Sequence, residues 1–272
     1  MKADFLKDYL AFLSVKKGLR QNSLEAYRND LQDYLNFLKK KKRHPDDPRL
    51  DGVMALFMIH LQNRNLSSGT IARKLSALRG FYRFLVQRRK ISKDPSKLLE
   101  CPKVRRPIPK VLSIREIENI LEQPYPSDPL GLRDRAILEI LYATGIRESE
   151  LISLELRNIN RKTESITIIG KGCLKRIVPI GKYALSALDV YLIEGRDNIL
   201  KEIAERKIFL NSNGKPLSRM GVWKIITKYA RLAGIVRAVS PHTFRHSCAI
   251  QMLESGVSIR AIQEMLGHAN IS

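Results

Sequence analysis

Apolar residues recur every three or four positions through most of the first third of the chain, the spacing that lines one side of a helix. Phe5, Leu6, Tyr9, Leu10, Phe12 and Leu13 mark a first helix over 3–17. A second opens at Asn22 or Ser23, with Glu25 as capping-box partner to Asn22, and runs through Leu24, Tyr27, Leu31, Tyr34, Leu35 and Leu38. A third covers Gly52 to Asn63, and a fourth starts at Ser67 or Ser68 and carries Ile71, Leu75, Leu78, Phe81, Tyr82 and Leu85. Four such helices are enough for a small bundle with its own core, and the aromatic positions fall on the inward stripe.

Past Asp94-Pro95 the helical signal lapses. Residues 101–110 read Cys-Pro-Lys-Val-Arg-Arg-Pro-Ile-Pro-Lys, whose three prolines and four cations oppose both helix and compaction. We read this stretch as an extended basic linker between an N-terminal domain, 1–100, and a second domain, 111–272. The second domain opens with Ser113 and Glu116 as a capping box, then an apolar helix over 128–143 that Gly145 stops. The period then shortens to two. Ser165–Ile169 and Arg176–Ile180 read as strands joined through Gly170-Lys171-Gly172, with an earlier strand near Leu156–Ile159. Helices resume over 182–194, 218–233, 242–255 and 258–266. The expected fold is mainly α with a small antiparallel β-sheet in the second domain: an N-terminal helical bundle followed by an α/β domain.

Composition then narrows the partner. The chain has 272 residues, and its 49 Lys plus Arg against 27 Asp plus Glu give a net charge of +22, which points to a polyanion. No apolar run is long enough to span a bilayer, so nucleic acid leads and a membrane role does not. Three distant cysteines, Cys101, Cys173 and Cys248, fit neither a disulfide framework nor a zinc ribbon, and suit a reducing cytoplasm. Basic positions opposite the apolar stripe of the bundle are candidate DNA contacts: Lys39, Lys40, Arg73, Lys74, Arg79 and Arg83, with Arg105 and Arg106 in the linker. Few acids sit at i,i+4 to neutralise them.

Five residues of the second domain suggest chemistry: Arg147, Lys171, His242, Arg245 and His268. Arginines bind a phosphate through a two-pronged fork, a lysine on a turn can donate a proton, and histidine titrates in the range for proton transfer. His242 and Arg245 are three apart, so a helix puts them on one face. His242 and His246 have the spacing of a zinc helix, but no glutamate sits between them and Arg245 does, which disfavours a dication. Gly170-Lys171-Gly172 lacks the spacing of an ATP loop. Neither metal nor nucleotide cofactor is expected.

Taken in order, Ala143-Thr-Gly-Ile-Arg147-Glu-Ser-Glu-Leu151, Gly170-Lys171-Gly172, Pro241-His-Thr-Phe-Arg-His246 and Leu266-Gly-His268 resemble the tyrosine recombinases of the phage-integrase family, nearest in layout to the Xer recombinases. The resemblance runs over essentially the whole chain. It implies that Arg147 and Arg245 clamp the scissile phosphate, that Lys171 protonates the leaving 5′ oxygen, that His242 assists at the nucleophile and that His268 hydrogen-bonds the phosphate. Glu150 would be the buried acid steadying the first arginine, and His246 and Trp223 would belong to the core or its edge. It further implies two domains closing on a duplex from opposite sides, and a homo-tetramer on two DNA sites, in some members shared with a paralogous recombinase. Departing from that pattern, the tyrosine that family members use as nucleophile lies a short way past the position of His268, and this sequence ends four residues after it. All nine tyrosines stand at or before Tyr229. The expectation is a chain shortened before its nucleophile, monomeric or weakly dimeric, binding DNA without covalent cleavage. Alternatives from other classes are a DNA-binding or architectural protein without catalysis, and an enzyme like the type IB topoisomerases.

Overall fold

The computed structural model describes residues 4–19, 21–100, 111–170, 175–202 and 204–267, and the chain divides into two compact units, 1–107 and 108–272. The expected linker 101–110, with Arg105 and Arg106, lies outside the described residues.

The first unit holds helices α1 (Phe5–Lys17), α2 (Gln21–Lys40), α3 (Asp51–Gln62) and α4 (Ser68–Gln87), followed by a 3-10 turn, Pro95–Leu98. Ser67 caps α4 by accepting from the Thr70 N–H, and Asp4 does the same for α1. The second helix begins at Gln21, ahead of the expected start, where the Gln21 amide donates to Glu25 at 3.4 Å. Tyr9, Leu13, Leu31, Tyr34, Met54, Phe57, Leu75, Phe81 and Tyr82 interlock in one core. Two buried hydroxyls, Tyr34 and Tyr82, satisfy each other at 2.6 Å, which is why phenols are tolerated at its centre.

The second unit holds α5 (Ile114–Glu122), α6 (Pro129–Thr144), a short α7 (Glu148–Leu151), α8 (Lys182–Val190), α9 (Arg196–Ile199), α10 (Arg219–Leu232), α11 (Pro241–Glu254) and α12 (Ile259–Leu266), of which the short α7 and α9 add to the sequence-predicted helices. A single wide turn, Tyr191–Gly195, joins α8 to α9. Apolar on nearly every side, α6 is therefore the central element: Ala136, Ile137, Leu138, Ile140 and Leu141 are all enclosed. Two of its four charges, Arg133 and Asp134, are buried as a pair, with Asp134 also accepting from Tyr229 at 3.0 Å.

Strands β1 (Ile159–Asn160), β2 (Ser165–Ile169) and β3 (Lys175–Pro179) form one antiparallel sheet in the order β1-β2-β3. The strand expected at Leu156–Ile159 is instead a 3-10 turn, Leu156–Asn158, leading into β1. Asn158 explains the difference: its side-chain oxygen takes the Glu155 N–H at 2.8 Å, a donor that a strand would give to its neighbour. In β3 the register pairs Ile168 with Arg176 and Ile166 with Val178, so Arg176 lies on the same, inward face as Val178.

Candidate active site

Gly145 ends α6 in the left-handed conformation, φ +57°, and a Cβ there would stand 2.7 Å from Leu266. Ile146 is buried next, which fixes the direction of the chain, and Arg147 emerges as the N-cap of α7. Three residues later Glu150 turns back and accepts from the Arg147 backbone N–H at 2.9 Å and from its Nη1 at 3.0 Å. Helix α11 starts at Ser240, which exchanges hydrogen bonds with Thr243, and Pro241 occupies the first turn. Phe244, Ser247 and Cys248 bury one side of this helix and hold Arg245 toward α6 and α12.

Arg147, Arg245 and Arg176 meet at one place. Glu150 lies among them, with its side chain 8% exposed. Arg176 grips it end-on, Nη1 to Oε1 at 2.9 Å and Nη2 to Oε2 at 2.8 Å. The C-terminal carbonyls of α12 complete the arrangement: Met265 accepts from Arg176 Nε at 2.8 Å, Leu266 from Arg245 Nη2 at 2.7 Å and Gly267 from Arg147 Nη2 at 3.2 Å. Arg245 also donates to the Gly145 carbonyl. The negative end of a helix thus rests on three guanidinium groups, one per carbonyl.

The electrostatics follow from this crowding. Burial alone would raise the Glu150 carboxyl, but the Arg176 hydrogen bonds, the Arg147 N–H and the two guanidinium charges hold it below its ordinary range. Burial, and then the charge of Arg147, bring Arg245 down to about 10, with Arg176 adding to the same repulsion. Three positive groups face one carboxylate, so the cluster keeps an excess of two positive charges. Arg147 is its open member, with 42% of its side chain exposed, whereas Arg176 is 16% exposed. Such a cluster is suited to an anion with several oxygens.

Of the five residues proposed from the sequence, the structure brings Arg147 and Arg245 together. His242 stands exposed on the first turn of α11, three residues before Arg245. Lys171 and His268 lie outside the described residues. Trp223 is 45% exposed on α10 and is not a core residue, because the inward stripe of that helix is taken by Val222, Ile225, Ile226 and Tyr229. Arg176 was missed. The signal was there: an arginine in phase with Val178 on the buried face of a strand must have a carboxylate partner. Among the described residues, no three His, Cys, Asp or Glu side chains are grouped so as to hold a metal.

The candidate DNA contacts need a correction of detail. Arg73 and Lys74 are not free of acids: Arg73 pairs with Asp30, and Lys74 with Asp33 at 2.8 Å and Asp30 at 3.4 Å, its side chain only 11% exposed. Arg79 donates to the Leu99 carbonyl. Lys39, Lys40 and Arg83 are exposed.

Residues 110–272 match the phage integrase family, and residues 6–89 match the phage integrase N-terminal SAM-like domain. The chain therefore belongs to the phage integrase family, the tyrosine recombinases. It is 40% identical over 267 residues to tyrosine recombinase XerD of Staphylococcus epidermidis, covering 98% of this chain and 90% of that protein. It is 39% identical over 271 residues to XerD of Listeria monocytogenes, covering 99% and 91%. The fold is that of the Tn1549 transposon integrase solved with circular intermediate DNA, at a TM-score of 0.77, 19% identity and coverage of 98% and 92%. XerH recombinase bound to its difH substrate gives 0.70, 22%, 91% and 74%. The expected mainly helical fold with one small antiparallel sheet is the fold found.

Proposed function

We propose that this chain is a site-specific DNA recombinase of the Xer type, acting on double-stranded DNA through a 3′-phosphotyrosine. The observation that carries the reading is the convergence of Arg147 and Arg245 at a site with surplus positive charge and an open side. A diester in transfer spreads charge over its equatorial oxygens, and fixed guanidinium donors stabilise that charge more than the ground state. Arg147 and Arg245 take this role. Lys171 protonates the leaving 5′ oxygen, His242 shares the proton of the nucleophile, and His268 donates to the phosphate. The energy of the broken bond is kept in the covalent intermediate, so the reaction needs no nucleotide. Lys39, Lys40, Arg83, Arg105 and Arg106 supply backbone contacts, and four subunits on two sites exchange strands. By their names, the similar proteins from S. epidermidis and L. monocytogenes are XerD recombinases, and this chain takes the same class of substrate.

We assign the nucleophile to none of the nine tyrosines in this sequence, six of which stand in surroundings that oppose that role. Tyr9, Tyr34, Tyr82, Tyr191 and Tyr229 are buried in core clusters, and Tyr142 donates to Gln251 at 2.7 Å. Burial raises the phenols of Tyr9, Tyr34, Tyr82, Tyr191 and Tyr229 above their ordinary value, the opposite of activation. A nicked suicide duplex is the test. Residues 1–272 should bind it without a covalent adduct, and a chain extended past Ser272 to include a tyrosine should be trapped on it. An adduct with residues 1–272 alone would overturn the nucleophile assignment, and no adduct with the extended chain would overturn the recombinase.

A further inference from the structure

Arg176 has no part in the chemistry just described, yet it alone in the cluster grips both oxygens of Glu150 through its side-chain fork. Both Glu150 oxygens are taken by its fork, at 2.9 and 2.8 Å, and its third donor reaches the Met265 carbonyl at 2.8 Å. Each of its three guanidinium nitrogens therefore donates within the protein, which holds the side chain in one place. It also fills the space under Gly267: a Cβ at that position would lie 3.0 Å from the Arg176 guanidinium carbon. With φ +67°, Gly267 closes α12 on a surface shaped by that side chain.

We propose that Arg176 is a positioning residue for phosphate binding: by occupying both oxygens of Glu150 and the Met265 carbonyl, it keeps Arg147 available and seats the end of α12. The inference rests on the recombinase reading above. A carboxylate 3.0 Å from Arg147 would otherwise close its own fork on that arginine and cancel the charge meant for the phosphate. With Arg176 in place, Glu150 gives Arg147 one side-chain contact and one backbone contact, enough to orient it without neutralising it. Arg176 docks α12 through the carbonyl next to those bound by Arg245 and Arg147, so one side chain sets the register of all three. Glutamate and helix end are 115 residues apart in sequence and meet on a single strand residue, Arg176.

The test uses residues 1–272 and a duplex selected by the wild-type chain from a randomised pool. That duplex is scanned with single methylphosphonates, each of which removes one phosphate charge. In the wild type, one position should cost about tenfold in affinity, the value of a charge-assisted contact. In Arg176→Met that penalty should fall below about threefold, while affinity for the duplex already neutralised there stays near wild type. Should the methionine variant fail to fold, Arg176→Lys decides: it keeps the charge opposite Glu150 without the fork, and the same loss of penalty is expected. A merely structural role would lower melting temperature and all affinities together and leave the penalty intact, and that result in either folded variant overturns the proposal. If the wild type has no position-specific penalty, the phosphate site itself falls, and Arg176 with it.

Discussion

Each unit of the molecule carries a knot of arginine or lysine with acid, and the two knots are built to opposite ends. In the N-terminal unit, Arg64 from the turn after α3, with Arg73 and Lys74 of α4, faces Asp30 and Asp33 of α2, nearly charge for charge. Carboxylates outnumbered by one leave little field, and the contacts of Arg64 and Arg73 lie near water. In the catalytic unit, Arg147, Arg176 and Arg245 share one carboxylate and otherwise rest on main-chain carbonyls. Carbonyls hold an arginine in place by hydrogen bonding but carry no net charge. The first knot ties two helices; the second positions cations while keeping their charge available for an anion.

The sharpest way to break that contrast is to remove a cation from the second knot. Arg245→Ala in an extended chain carrying a tyrosine should lower suicide-substrate cleavage by about 10²–10³-fold, the cost of one preorganised donor. DNA affinity, measured by gel shift, should change far less. Equal losses in both would mean that Arg245 anchors the backbone like any other cation. Stability separates the knots next. Glu150→Ala leaves the largely buried Arg176 with the Met265 carbonyl but no counter-charge and should lower unfolding free energy by about 3–5 kcal/mol. Asp33→Ala at the first knot, where Lys74 keeps Asp30 as a partner and Arg64 lies near water, should cost less, about 1 kcal/mol. Urea midpoints for the two variants check the ratio, and similar values would erase the distinction.

The same two knots mark what the sequence disclosed. Helix positions were readable because caps and apolar stripes are local: Ser67, Ser113, Ser218 and Ser240 each cap a helix that the apolar spacing predicts. The ordered motifs also placed Arg147 and Arg245, since a helix stop at Gly145 and a cap at Ser240 fix each arginine within a few residues. Pairings across the fold were not readable. Acids for Arg73 and Lys74 were sought one helical turn away, and they lie on another helix, 43 and 41 residues distant. Arg176 looked like one more cation on a strand, because only the register with β2 and the approach of α12 give its inward position a use. Local physics writes elements into the sequence, whereas ion pairs depend on how elements pack.

Gly267 offers a smaller, sharper probe of the catalytic knot. A methyl group there meets both a left-handed backbone and the Arg176 guanidinium. Gly267→Ala should cost about 1–2 kcal/mol from the backbone alone. The same change at Gly234, also left-handed at φ +77° but with open space around it, isolates the backbone part. Chemical denaturation of both variants should give the larger loss at Gly267, and equal losses would mean that Arg176 yields freely.

The smallest effect concerns a third pair, which ties the beginning of the catalytic unit to its far end. Arg237 donates to Glu116 at 2.5 Å and to the Val111 carbonyl at 3.2 Å, and Glu116 completes the cap of α5. The Arg237 hydrogen bond, with the Ser113 N–H behind it, brings the Glu116 carboxyl from 4.5 down to about 2. Because the folded value is the lower one, the charged form favours folding. That contribution is complete above pH 4.5 and is lost as pH falls through 4.5 toward 2. Both side chains are partly exposed, so water and salt weaken the pair. Arg237→Met should therefore flatten the acid limb of stability, measured as urea midpoints between about pH 5 and pH 3, and leave neutral-pH stability only slightly reduced. Raising salt should flatten the wild-type limb in the same direction, since screening acts on this pair far more than on the enclosed Glu150 cluster. An acid limb unchanged in Arg237→Met would assign it to other carboxylates, with Glu150 and Asp33, both also held low by cationic neighbours, the first to examine.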